Sequence, residues 1–128
     1  MPKIVISTPL APSAIGPYSQ AIRTGNTIFV SGQIPLDPET GKLIDDLAIK
    51  SQTRRSLENL KGILSASGAT MDDIVKVTIY LADMKDFKEV NGVYADFFQT
   101  DPPARATVVV RGLPLGVAIE MDCIAVVD

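Results

Sequence analysis

Residues 104–110 and 117–124 carry the side chains best suited to acid–base chemistry, and they carry them at strand spacing. Read with period 2 as the arms of one hairpin, they have an apolar face of Ala106, Val108 and Val110 against Val117, Ile119, Met121 and Cys123. The opposite face then holds Arg105 and Thr107 beside Glu120 and Asp122. A guanidinium next to a carboxylate on an uncovered sheet face suits a small anionic substrate attacked by water. The same pair also reads as a cross-strand ion pair on a solvated sheet, worth about 0.2–1 kcal/mol, and the hairpin alone favours that second reading.

The elements that must position these residues follow from periodicity. Residues 4–7 read as a short strand, and 8–15, with Pro9 and Pro12, as an ordered loop. Strands over 18–23 and 27–31 are joined by the tight-turn dipeptide Gly25-Asn26. Pro35, Asp37-Pro38 and Thr40-Gly41 mark a long loop. Over 46–67 the period becomes helical, with Ile49, Thr53, Leu57, Leu60 and Leu64 in one stripe, Asp45 or Asp46 as cap and Gly68 as stop. Arg54 and Glu58 form an i,i+4 pair on its outer face. A strand over 74–81 sets Val75, Val77, Ile79 and Leu81 on one side. A second helix over 86–98 has the stripe Phe87, Val90, Tyr94 and Phe97, which reads as core. The expectation is an α+β fold, a single domain over 1–128, with a mixed sheet and two helices packed on one face. The other face, with Ile124 and Val126 among its polar residues, is expected to pack against another subunit.

Composition narrows the chemistry. The 128 residues suffice for one well-buried core, and 46% hydrophobic content suggests apolar surface shared between subunits. Twelve basic against fifteen acidic residues leave a net charge of −3, which weighs against a nucleic-acid or anionic-membrane partner. The chain has no histidine, so Ser-His and Cys-His catalysis, histidine-ligated metals and two-histidine nuclease chemistry are excluded. The single Cys123 forms no internal disulfide and reads as a buried structural thiol. The first residues are too short for a signal segment, and no apolar run approaches about 18 residues, so a cytoplasmic location is expected. There is no glycine-rich phosphate loop, metal-ligand cluster or serine-centred elbow.

Eight short motifs occur in order: Gly16-Pro17-Tyr18-Ser19-Gln20-Ala21, Phe29-Val30-Ser31-Gly32-Gln33-Ile34-Pro35, Gln52-Thr53, Leu57-Glu58-Asn59-Leu60, Val75-Lys76-Val77-Thr78-Ile79-Tyr80-Leu81, Asp86-Phe87 with Asn91, Pro103-Ala104-Arg105, and Ile119-Glu120. Together they resemble the Rid (reactive intermediate deaminase) family from about residue 4 to 127. The resemblance implies a chorismate-mutase-like domain in a homotrimer, with sheets at the centre, helices outside and a site at each subunit interface. It also implies hydrolysis of reactive 2-imino acids, formed from enamines such as 2-aminoacrylate, to 2-keto acids and ammonia. The family's carboxylate-binding arginine falls on Arg105 and the acid aligned with the attacking water on Glu120. Its site-lining tyrosine, strand-end serine-glycine and helix asparagine fall on Tyr18, Ser31, Gly32 and Asn91.

Two departures stand out. Thr107 occupies a position where many active members have cysteine, and Gly92 sits mid-helix at a cost of about 1 kcal/mol against alanine. An imine carbon is already electrophilic, so the residues need no metal or cofactor: Arg105 forks the carboxylate, Glu120 moves protons, and the site around Thr107 orients the rest. Two other functions compete. A non-catalytic module binding small carboxylates would need Arg105 but not Glu120. Ribonuclease or translation-inhibitor activity, described for some family members, fits poorly with the missing histidine and the net charge. The expected partners are small imino and keto acids and two further copies of the chain, with no nucleic acid and no membrane. In the expected assembly, Arg105 and Glu120 of one chain face Tyr18 or Asn91 of its neighbour.

Overall fold

In a computed structural model describing residues 2–128, the alternating stretches form strands β1 (Ile4–Ile6), β2 (Ala21–Thr24), β3 (Thr27–Gln33), β4 (Ile74–Leu81), β5 (Ala104–Val109) and β6 (Ile119–Val126). They make one six-stranded mixed sheet in the order β1-β2-β3-β6-β4-β5. The helices α1 (Ile49–Ala66) and α2 (Phe87–Phe97) lie on the same face of it. Gly25, at φ 57°, makes the turn between β2 and β3.

The sequence reading of a hairpin between residues 104–110 and 117–124 is overturned. β5 runs parallel to β4, with Val77 opposite Arg105 and Ile79 opposite Thr107. β6 enters between β3 and β4 and runs antiparallel to both. The physical reason is α2, which carries the chain over the sheet from β4 back to a parallel β5. As a central strand, β6 has both edges hydrogen-bonded and fully buries Ile119, Met121 and Ala125 under the helices. At the end of a hairpin it would have had one bare edge.

The core is built from Ile28 and Val30 of β3, Val77, Ile79 and Leu81 of β4, the odd positions of β6, and the stripe Leu57, Leu60, Ile63 and Leu64 of α1. From α2 it takes Val90, Val93 and Tyr94, and from just beyond the helix Phe98; Phe87 of the expected stripe stays partly exposed. Val75 also departs from expectation. A register shift between Ile74 and Lys76 leaves it 47% exposed, on neither apolar row. Arg54 pairs with Asp96 of α2 at 3.2 Å rather than with Glu58. The expected cap is corrected: Ala48, with no side-chain cap, is the N-cap of α1, and Asp46 only accepts from the Ala48 amide at 3.0 Å ahead of it. Gly68, at φ 85°, ends the helix as expected. Cys123 is buried, and that burial pushes its thiol up to about 12.

Buried amides tie the loops to this core. Gln20 accepts from the Thr8 amide at 2.7 Å and donates to the carbonyls of Thr8, Ala11 and Pro12, which folds residues 8–12 against β2. Gly62 lets that loop touch α1, because a β-carbon there would sit 3.0 Å from the carbonyl carbon of Leu10. Asn59, fully buried on α1, donates to the carbonyls of Ile34 and Leu36. Gln52 accepts from the Ala118 amide at 2.9 Å and so fixes the entry to β6. Nothing in the structure explains Gly92, whose β-carbon would meet open space.

Asn59→Ala leaves the Leu36 carbonyl without its donor in a buried setting, while the Ile34 carbonyl keeps the Leu36 amide, at a cost of about 1–3 kcal/mol. Thermal unfolding should therefore shift down by about 3–10 °C. An unchanged melting temperature would remove Asn59 as the tether of this loop.

Candidate active site

The residues singled out from the sequence gather into two groups on opposite faces of the sheet. Register decides this. Arg105 and Thr107 are paired with Val77 and Ile79, so they point to the helix-covered face. Glu120 and Asp122 are paired with Tyr80 and Thr78, and these four point to the open face. The expectation that Arg105 and Thr107 share a face with Glu120 and Asp122 is therefore corrected. It depended on the hairpin, and with β4 between the two strands the parity is reversed. Within one chain, Arg105 and Glu120 are two strands and three residues apart, roughly 14 Å between backbones, and their side chains leave opposite faces of the sheet.

The first group surrounds Arg105. Its guanidinium carbon lies 4.8 Å from the ring centroid of Tyr94 and 5.7 Å from that of Phe87, two turns earlier on α2. Stacking on aromatic faces favours the cation and limits its orientations. The aromatic stripe of α2 therefore serves both core and site. Arg105 belongs to neither of the ion pairs found among the described residues, Arg54–Asp96 and Lys85–Asp83. Asn91 Oδ1, the Tyr94 hydroxyl and Thr107 Oγ1 are buried nearby without hydrogen-bond partners. Burial pushes the Tyr94 hydroxyl up to about 12 despite the Arg105 charge, so it stays a neutral donor. Buried polar groups are ordinarily satisfied. An unpaired cation, three orphaned polar atoms and an open cleft of about 370 Å³ lined by Asn91, Tyr94 and Arg105 together mark a half-built anion site.

The second group surrounds Glu120. A cleft of about 330 Å³ is lined by Tyr18, Ser31, Gly32, Pro114 and Glu120, with Ile15, Ile34 and Leu36 supplying apolar wall. A bulge between Val30 and Gln33 of β3 brings Gly32 against the carboxylate. A β-carbon on Gly32 would lie 2.9 Å from Glu120 Cδ, and closer still to Oε2. Only glycine fits. Ser31 donates to the Ser19 carbonyl, and Tyr18 accepts from the Ile15 amide at 3.3 Å, which pins the cleft's outer wall. Burial first, and the Asp122 charge second, raise the proton affinity of Glu120 above that of an ordinary carboxylate. A half-buried carboxylate with that bias suits a group that takes a proton and returns it.

Tyr18, Ser31, Gly32 and Glu120 thus share one cleft, while Asn91 and Arg105 share another, with Thr107 two residues from Arg105 on the same face of β5. Sequence reasoning missed Gln20, Gln52, Asn59 and Pro114, which hold or line these clefts. Their signal was present. Gln52 and Asn59 sit seven residues apart in the apolar phase of α1, where amides are expected only if they bind something.

The model of the family described as Endoribonuclease L-PSP matches residues 8–127. A 2-iminobutanoate/2-iminopropanoate deaminase of Mus musculus is 47% identical over 122 residues, covering 95% of this chain and 90% of that protein. Reactive Intermediate Deaminase A, chloroplastic, of Arabidopsis thaliana is 50% identical over 123 residues, 96% of this chain and 65% of that protein. The crystal structure of E. coli TdcF with bound serine superposes with a TM-score of 0.92 at 43% identity, covering 98% of this chain and 99% of that one.

Gly32→Ala should leave the fold intact, because the atoms in its way belong to the end of one side chain. It should nevertheless displace the Glu120 carboxylate. A misplacement of about 1 Å costs on the order of 100-fold in rate. Melting temperature and turnover measured together check this: unchanged stability with a large loss of kcat is expected, and normal kcat would show that Glu120 need not sit against Gly32.

Proposed function

This chain belongs to the Endoribonuclease L-PSP family, the Rid family whose motifs it resembles, and on that premise we propose that it hydrolyses reactive 2-imino acids to 2-keto acids and ammonia. The observation that carries the reading is the pair of incomplete half-sites. One has a cation and orphaned polar atoms but no acid; the other has an acid poised to accept a proton but no cation. Two copies of the chain complete each other when the open face of one meets the β5–α2 edge of the next. The open face has reason to be covered, since Phe29, Val108 and Val126 are each more than two-fifths exposed on it. A closed homotrimer makes three such contacts, each a shared site of Arg105, Asn91 and Thr107 from one copy with Tyr18, Ser31, Gly32 and Glu120 from another. This replaces the division expected from the sequence, which set Arg105 and Glu120 on the same side of the interface.

In that site the Arg105 fork holds the substrate carboxylate by two parallel N–H···O bonds. The serine bound by TdcF has an α-carboxylate of the kind this fork would take. Glu120 takes a proton from water as the oxygen bonds to the iminium carbon. It then returns that proton to the nitrogen of the tetrahedral adduct. The C–N bond breaks and ammonia leaves as the adduct's hydroxyl gives its proton to the Glu120 carboxylate, which leaves the carbon as a ketone; Glu120 then passes that proton to the departing ammonia as ammonium. The Tyr94 and Thr107 hydroxyls supply donors beside the carboxylate, and the Asn91 oxygen can accept from an N–H of the substrate. The imine carbon is electrophilic without a metal or cofactor, and the water already attacks it slowly in solution. No helix among the described residues is long and apolar enough to cross a membrane, and soluble metabolites as substrates fit a cytoplasmic location.

An amino-acid oxidase or dehydratase supplies 2-iminopropanoate or 2-iminobutanoate, and semicarbazide traps what remains. The protein should lower the semicarbazone yield without added metal, while RNA in a parallel reaction stays intact. An unchanged yield would contradict the proposal. Arg105→Lys keeps the charge but loses the fork, so kcat/KM should fall about ten- to a hundredfold. Glu120→Gln should lower kcat more than it weakens binding of an unreactive 2-keto acid. Light scattering should give three times the chain mass, and a monomer at micromolar concentration would refute the shared site.

A further inference from the structure

Two carboxylates stand side by side on the open face of β6, and only one has been given work. Period 2 places Glu120 and Asp122 on the same face, roughly 7 Å apart along the strand. Tyr80 of β4, directly opposite Glu120, reaches diagonally to Asp122, and its hydroxyl donates to Asp122 Oδ2 at 2.9 Å. Neither carboxylate belongs to an ion pair among the described residues. The groups facing Glu120 can be named from each side. β3 presents Ser31, Gly32 and Gln33, all uncharged. β4 presents Tyr80 and Thr78, with Lys76 further along beside Ile124. The loop before β2 brings Tyr18, and the turn before β6 brings Pro114. Asp122 is therefore the nearest charge on its own sheet, and it has the same sign.

The two acids have unlike surroundings. The Tyr80 phenol donates to Asp122 and fixes where that carboxylate lies. Glu120, pressed against Gly32 in an apolar-walled cleft, has no such donor. We propose that Asp122, anchored by Tyr80, is a positioning residue whose carboxylate, held on the same face two residues along β6, makes Glu120 a better proton acceptor for the attacking water. As a step in the reaction this rests on Glu120 being the base; as an electrostatic coupling it stands by itself. Arg105 of an adjoining copy acts in the opposite direction, but it is the same in every variant compared.

The test reads Glu120 directly. Carbon-13 NMR of glutamate carboxyls is followed against pH in the assembled protein, with Glu120 assigned by its disappearance in Glu120→Gln. Asp122→Asn is nearly isosteric and can still accept from Tyr80, so the sheet is kept while the charge is lost. The Glu120 midpoint should fall by about 0.5–1 pH unit. The acid limb of kcat/KM should move with it, and the plateau rate should drop about two- to threefold as the base weakens. Tyr80→Phe, which leaves the Asp122 charge without its donor, should move the midpoint the other way. A Glu120 midpoint that Asp122→Asn leaves in place, or that both variants move in one direction, overturns the proposal. If the midpoint shifts as expected but no imine hydrolysis is found, the coupling stands and the proposed reaction fails.

Discussion

The pleat of a β-strand sends successive side chains to opposite faces, and everything functional in this protein depends on which strand sits beside which. Because β4 stands between β5 and β6, Arg105 and Glu120 point away from each other through a sheet that α1 and α2 cover on one side only. A single chain therefore holds each chemical group without its counterpart. The helix-covered edge has a guanidinium stacked on Tyr94 and Phe87 and no carboxylate to pair with. The open face has a carboxylate wedged against Gly32 and no cation to meet it. In the proposed reading, assembly and activity are the same problem, solved by one contact between copies.

The unsatisfied groups fit this view. Orphaned buried atoms at Asn91, Tyr94 and Thr107 would each cost about 1–3 kcal/mol if nothing ever met them. By contrast, the buried amides that tie the loops down are tightly served, and Ser56 Oγ of α1 is the one other buried side-chain atom without a partner among the described residues. Gln20, Gln52 and Asn59 are buried and all are hydrogen-bonded, and they hold the loops that line the Glu120 cleft. Satisfied amides build the frame, and three of the four unsatisfied polar atoms lie on the Arg105 side where a substrate would arrive. Such local violations of the packing rules are the usual mark of a functional site.

Much of the fold was legible in the residues. The 3.6-residue stripe of α1, the turn at Gly25-Asn26, the stop at Gly68 and the alternation of residues 74–81 each gave an element close to its observed place. Pairing was not legible. Residues 104–109 and 119–126 both read as strands, and periodicity alone does not say whether two strands are neighbours or are separated by a third. The register shift at Val75 and the bulge at Ser31-Gly32 were invisible for the same reason, since they depend on the partner strand rather than on local propensity. Arg105, Glu120 and Gly32 stood out by type and by family resemblance. The aromatic seat of Arg105 did not, because Phe87 and Tyr94 are also good core residues and their spacing fits either use.

The central claim is that each site draws Arg105 from one copy and Glu120 from another. It is tested most directly by mixing two inactive proteins, Arg105→Ala and Glu120→Gln, after mild dissociation, and confirming mixed assemblies by native mass spectrometry. In equal mixtures about a quarter of the interfaces join an intact Arg105 to an intact Glu120 across two chains. Imine hydrolysis should then return to about a quarter of the wild-type rate. Mixed assemblies that stay inactive would place both residues in the site of a single chain and contradict the account.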